Sequence, residues 1–129
     1  MKVIIVGGGW SGVAAAISAR KAGAEVHLFE KTDLILGLGN VGGIMRNNGR
    51  YTATEELIVL GGGDLFNITD NCSRHKNIDF PGHKHASLYD VNRIEGIAKD
   101  YLKSTGVKLY MESRIQDVEF DGHKIKGVY

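Results

Sequence analysis

The chain has 129 residues, 43% hydrophobic and 24% charged, the size and balance of a single globular domain. A formal net charge of +1 excludes a bulk electrostatic pull toward nucleic acid or a membrane surface, so any phosphate must be held by local geometry. The single cysteine, Cys72, excludes an internal disulfide and suits a reducing, cytoplasmic setting.

Lys2 to Val6 is a short β-branched run closed by glycine, which predicts a buried strand. Ser11 to Ala22 is alanine-rich and predicts a helix ended by Gly23. Glu25 to Glu30 alternates as a second strand, completing a βαβ unit. The uncharged run Val3 to Ala19 imitates a secretory signal, but four glycines interrupt it and leave no continuous apolar block.

Thr32 to Arg50 reads as a glycine- and asparagine-rich loop. Thr52 and Glu55 have capping-box spacing and predict a short helix through about Leu60, stopped by Gly61 to Gly63. Asp64 predicts the cap of another short helix through about Asp70, and Asn71 to Leu88 reads as polar and irregular. Asp90 predicts the cap of a helix through about Thr105, with Ile94, Ile97, Ala98, Tyr101 and Leu102 as its apolar stripe. Lys99, Asp100 and Lys103 then fall on a solvated face. Val107 to Tyr110 predicts a strand, and the segments either side of Asp121-Gly122 alternate as a hairpin.

Within the βαβ unit lies Gly7-x-Gly9-x-x-Gly12, followed at the end of the second strand by Glu30. On its own the glycine pattern is weak; between a strand and a helix, with a later acid, it is a dinucleotide fingerprint. Gly7 allows a tight turn, Gly9 lets a diphosphate approach the backbone, and Gly12 lets the helix pack close to the sheet. The helix start, through Trp10 and Ser11, offers free N–H groups and a partial positive charge. Glu30 accepts hydrogen bonds from ribose hydroxyls and disfavours a 2′-phosphate. Trp10 either shields the diphosphate or packs against a neighbouring segment.

Residues 2 to 31, with VGGGWSG and the trailing VHLFEK, resemble the N-terminus of FAD-dependent oxidoreductases with the glutathione-reductase-like FAD-binding fold, and the likeness continues more loosely to Tyr129. The resemblance implies an α/β, Rossmann-like three-layer core over residues 1 to 129, incomplete, ending in a β-hairpin or meander. It implies FAD as cofactor, with Glu30 on the adenosine ribose and Lys31 along the adenosine edge. It also implies a glycine-rich stretch toward the flavin side, for which Gly37, Gly39, Asn40, Gly42 and Gly43 are candidates, and a backbone contact from Ile115 to adenine. That stretch is longer than the family's usual glycine doublet.

The family's FAD domain closes with a later strand and an Ala-Thr-Gly type motif, and this sequence reaches Tyr129 before either. The expectation is therefore a piece of a larger flavoenzyme, or one chain of a split one, that binds FAD weakly and is inactive alone. The remainder of the enzyme, as a second chain, is then a candidate partner. Two rivals stand beside it: an NAD-binding domain of a dehydrogenase, which leaves the long glycine loop unexplained, and a non-catalytic nucleotide-binding subunit.

Cys72, His75, His83 and His85 fall in one polar stretch. Their spacing matches no zinc pattern, so no metal is assigned. His83 and His85 are the candidates for acid–base work or for facing flavin-borne charge, against the plainer reading of hydrogen-bonded loop histidines. Arg46 and Arg50 are read either as anion ligands or as surface charges. The small-molecule substrate is not legible.

Overall fold

The computed structural model describes residues 1–40, 42, 58–80 and 83–129, with residues 76–80 and 83–87 described through their backbone. Strand β1 (Lys2–Val6), helix α1 (Trp10–Lys21) and strand β2 (Glu25–Phe29) form the expected βαβ unit. A short 3₁₀ turn, Gly37–Gly39, follows β2. A wide turn over Ile58–Gly62 leads into α2 (Gly63–Asn71). A hairpin of β3 (Ser73–Phe80) and β4 (His83–Tyr89) runs into α3 (Val91–Ser104), β5 (Lys108–Tyr110) and a last hairpin, β6 (Val118–Asp121) with β7 (Lys124–Val128).

The central sheet is parallel, in the order β1–β2–β5, with Val3 opposite Val26 and Ile5 opposite Leu28. Alternation along the strands sends Val26 and Leu28, both fully buried, to the face covered by helices. There they meet Val13, Ala16 and Ile17 of α1 and Ile94, Ala98 and Leu102 of α3. Each fully buried branched side chain contributes about 1.5–3 kcal/mol to the fold. The opposite face carries His27, Phe29 and Tyr110, whose rings stack at centroid distances of 5.7 Å (His27–Tyr110) and 4.5 Å (Phe29–Tyr110).

Alanines give α1 its propensity, and Arg20 and Lys21 in its last turn suit the negative end of the helix dipole. Arg20 also joins two helix ends, donating from Nε to the Thr105 carbonyl at 2.7 Å and from Nη1 to the Ala24 carbonyl at 3.0 Å. Asp90 caps α3 by accepting the Asn92 N–H at 3.0 Å.

Several expectations are corrected. Of the segment 71–88, read as irregular, residues 73–80 and 83–88 belong to the β3–β4 hairpin; three register shifts break its pleat, which is why no period of two shows in the sequence. Asp64 lies in the first turn of α2, and Gly62 holds the cap position. Ile97 sits at the rim of the α3 stripe, 36% exposed, while Ile94, Ala98 and Leu102 take the core. Lys99 is not merely solvated: it pairs with Glu95 and donates to the Asp33 carbonyl at 2.8 Å, tying α3 to the loop after β2. The final hairpin turns at Gly122-His123, between the paired Asp121 and Lys124, with Gly122 at φ 59°. The helix expected from Thr52 falls, through residue 57, outside the described residues.

Candidate functional site

The site forms where β1 and β2 end and α1 begins, the crevice at the carboxyl ends of parallel strands where α/β folds take ligands. Gly7 leaves β1 at φ 99°, a left-handed conformation that favours glycine, and donates its N–H to the Phe29 carbonyl at 2.8 Å. The chain then turns into α1, with Gly9 as an extended cap residue. A Cβ on Gly12 would overlap the Gly7 carbonyl oxygen, so the first turn of α1 lies directly against the turn leaving β1. A Cβ on Gly9, by contrast, would meet no atom within 4 Å.

The amides of Trp10, Ser11 and Gly12 find no acceptor among the described residues, since the helical ladder starts with Val13 N–H to the Gly9 carbonyl at 2.9 Å. No acidic side chain lies in that first turn and no side chain caps it. The helix start therefore presents donors and partial positive charge with no internal anion to occupy them.

Glu30 follows the end of β2 and is buried, 8% exposed. Its Oε2 accepts the Gly8 N–H at 2.7 Å, and its Oε1 accepts the Thr32 N–H at 2.9 Å and the Thr32 hydroxyl at 3.1 Å. Burial pushes the carboxyl up, but the hydrogen bonds from Gly8, Thr32 and Lys31 outweigh it and hold the group below its ordinary range. At neutral pH Glu30 is an anion and an acceptor only.

Beside it lies a cleft of about 260 Å³ lined by Val6, Gly7, Phe29, Glu30, Lys31, Ser113, Arg114 and Ile115. Its outer wall is zipped to the β2 end: the Ser113 N–H donates to the Glu30 carbonyl at 2.8 Å and the Glu112 N–H to the Thr32 carbonyl at 3.0 Å. The fold thus brings Gly7, Glu30, Lys31 and Ile115 into one cleft, with Gly9, Trp10, Ser11 and Gly12 at its helix side. Val6, Phe29 and Ile115 make it apolar, and Lys31 and Arg114 stand at exposed positions.

The Gly37–Gly39 turn rests on the helix start. The Leu36 N–H donates to the Gly8 carbonyl at 2.7 Å, and Gly39 lies against Trp10 and Tyr89. The Asn40 side chain donates to the Ile35 carbonyl at a long 3.4 Å, and the Gly42 N–H reaches the Gly37 carbonyl at 3.4 Å. Gly43, Arg46 and Arg50 lie outside the described residues. His83 and His85 are on β4, with His83 paired to Phe80 at the hairpin's far end, about 20 Å of extended chain from Tyr89. Cys72 packs in the core, 1% exposed, where burial holds its thiol above the usual range.

Sequence reasoning missed Thr32, Gly8 and Tyr89. The hydroxyl two residues after the acid, in Glu30-Lys31-Thr32, was the available signal for the first. Nothing local to Tyr89 marks its part in the site.

Among known proteins, the family model for FAD dependent oxidoreductases matches residues 2–129. The tRNA uridine 5-carboxymethylaminomethyl modification enzyme MnmG of Helicobacter pylori is 36% identical over 69 residues, 54% of this chain and 11% of that enzyme. Among solved structures, Thermovibrio ammonificans THI4 aligns with 98% of this chain at 20% identity and a TM-score of 0.62. CtdE, solved with FAD and a substrate, aligns with 99% at 19% identity and a TM-score of 0.63. This chain covers 46% and 34% of those two, so they establish a shared fold and no more.

Proposed function

This chain belongs to the FAD dependent oxidoreductase family, and from that premise we propose that residues 1–129 are the part of a larger flavoenzyme's FAD-binding domain that holds the ADP half of FAD. The observation that carries the proposal is the pairing of unfilled amides at the start of α1 with the anionic Glu30 beside one cleft. The amides of Trp10 to Gly12 suit a diphosphate, approached over the open side of Gly9. The Glu30 carboxylate suits ribose hydroxyls, and the apolar cleft by Ile115 suits adenine, read by the Ile115 backbone. Lys31 lines the adenosine edge. When bound, the flavin supplies hydride or electron transfer, and the protein binds and orients it.

The finer assignment to the glutathione-reductase-like FAD-binding fold belongs to the same proposal, supported by the Gly7-x-Gly9-x-x-Gly12 turn, the acid after β2 and the hairpin after β5. So do a cytoplasmic setting, a small-molecule substrate and completion of the site by the rest of the enzyme. Among the described residues no helix is long and apolar enough to cross a membrane.

The test is an absorbance titration of the chain with FAD. A saturable change in the oxidised-flavin bands, lost in Gly9→Val, is the expected result. A chain that leaves the bands unchanged and binds NAD instead would overturn the reading in favour of a dehydrogenase domain.

A further inference from the structure

Trp10 is the first residue of α1 and occupies the position after Gly9, inside the fingerprint turn. Its ring meets Tyr89 edge-on, with centroids 5.5 Å apart and planes at 61°. Tyr89, the last residue of β4, is 1% exposed and donates its hydroxyl to the Gly39 carbonyl at 2.7 Å. A Cβ on Gly39 would overlap the indole nitrogen of Trp10 and crowd the Tyr89 hydroxyl, so both rings fill the space a side chain at 39 would need.

The same turn is held at its other end. The Leu36 N–H reaches the Gly8 carbonyl at 2.7 Å, with Leu36 itself at φ 71°, and Gly37 lies against the Gly9 Cα. Leu36 is not a residue that takes this conformation freely, and its side chain is fully buried, so packing imposes it. Two separate elements therefore converge on Trp10 in the first turn of α1: the Gly37–Gly39 turn and the end of β4.

We propose that Trp10 and Tyr89 are positioning residues that clamp the Gly37–Gly39 turn onto the start of α1, so that the diphosphate site is set before the cofactor arrives. The inference rests on the FAD reading above and deepens it. A clamped turn has less freedom to lose on binding, which favours affinity without any contact between Tyr89 and the ligand. Burial of Tyr89 pushes its phenol up to about 12, against the Trp10 indole N–H beside it, so the hydroxyl donates to Gly39 throughout the neutral range.

Trp10 is the sole tryptophan, so its emission reports this clamp alone. The test compares the unaltered chain with Tyr89→Phe, which removes one hydroxyl and keeps the ring, using Trp10 emission, acrylamide quenching and the ADP dissociation constant. Expected are a red-shifted, more quenchable Trp10 and an ADP affinity lower by about threefold to tenfold, the loss of one hydrogen bond. If Tyr89→Phe does not fold, Trp10→Phe carries the test through the ADP dissociation constant, which should rise. A folded variant with a lowered melting temperature but unchanged ADP affinity would overturn the proposal, leaving the clamp a packing contact. An unaltered chain that binds neither ADP nor FAD, while Trp10 emission still shifts in the variant, would sink the cofactor reading and the proposal with it.

Discussion

The Glu30 carboxylate accepts the Gly8 N–H at 2.7 Å, across 22 residues of sequence, so the acid at the end of β2 braces the turn it was expected only to complement. Glu30→Gln keeps the shape but turns an NH₂ toward one of the backbone donors. The expected loss is about 1–3 kcal/mol of folding stability, read from urea unfolding at neutral pH. Because the native carboxyl titrates below its ordinary value of 4.5, its contribution is complete above that value and is lost as the pH falls through the lowered one. The gap between the two proteins should therefore close in acid.

The same charge should discriminate between ligands. AMP should bind more tightly than adenosine 2′,5′-bisphosphate to the unaltered chain, since a 2′-phosphate would face an anion already held in place. Glu30→Gln should narrow the difference in calorimetric affinities. Equal affinities in the unaltered chain would remove Glu30 from the ribose end of the site.

Gly12 and Gly9 separate packing from binding. Gly12→Ala drives a methyl into the Gly7 carbonyl and should cost about 1–3 kcal/mol or more, seen as a lower midpoint in chemical denaturation. Gly9→Ala meets open space at an extended φ of −67°, so its stability should stay within about 1 kcal/mol while ADP and FAD binding weaken. A Gly9→Ala chain that binds as well as the original would place the diphosphate elsewhere.

Among the described residues, Tyr89 and Tyr101 should ionise late. Tyr101 is held up to about 12 by its hydrogen bond to Asp64 and then by burial, and Tyr89 to about 12 chiefly by burial. In an alkaline titration followed by phenolate absorbance, Tyr89→Phe and Tyr101→Phe should each remove one late-ionising phenol. Since both native values lie above the ordinary 10, their stabilising contribution is complete below pH 10 and declines as the pH rises toward 12.

What was legible in the sequence is what carries its own punctuation. Glycines at 7 and 23 bracket β1, α1 and β2, and Asp90 and Gly106 bracket α3, so element type and order followed from local chemistry. The β3–β4 hairpin did not, because its register shifts leave no alternation to read and its pairing is made by backbone groups. The site divides the same way. Gly7, Gly9, Gly12 and Glu30 are set by spacing within a single unit. Trp10 against Tyr89, and the Tyr89 hydroxyl on a carbonyl 50 residues earlier, are set by tertiary packing that no local pattern encodes. Of the two roles the sequence offers Trp10, its edge-on contact with Tyr89 supplies the partner for packing.

The sheet order also dictates a timetable for the growing chain. The strand that pairs with β1 among the described residues, β2, is present once residue 29 has been made, but the other edge of β2 waits for β5: His27 and Tyr110, which meet through Nδ1 and the phenol at 3.1 Å, are 83 residues apart. During synthesis that edge stays open while two helices and a hairpin emerge from the ribosome. The side chains β2 turns away from the helices include Glu25 and His27, a charge and an imidazole, ahead of Phe29. Polar groups on an unpaired strand are a recognised guard against premature association with another chain.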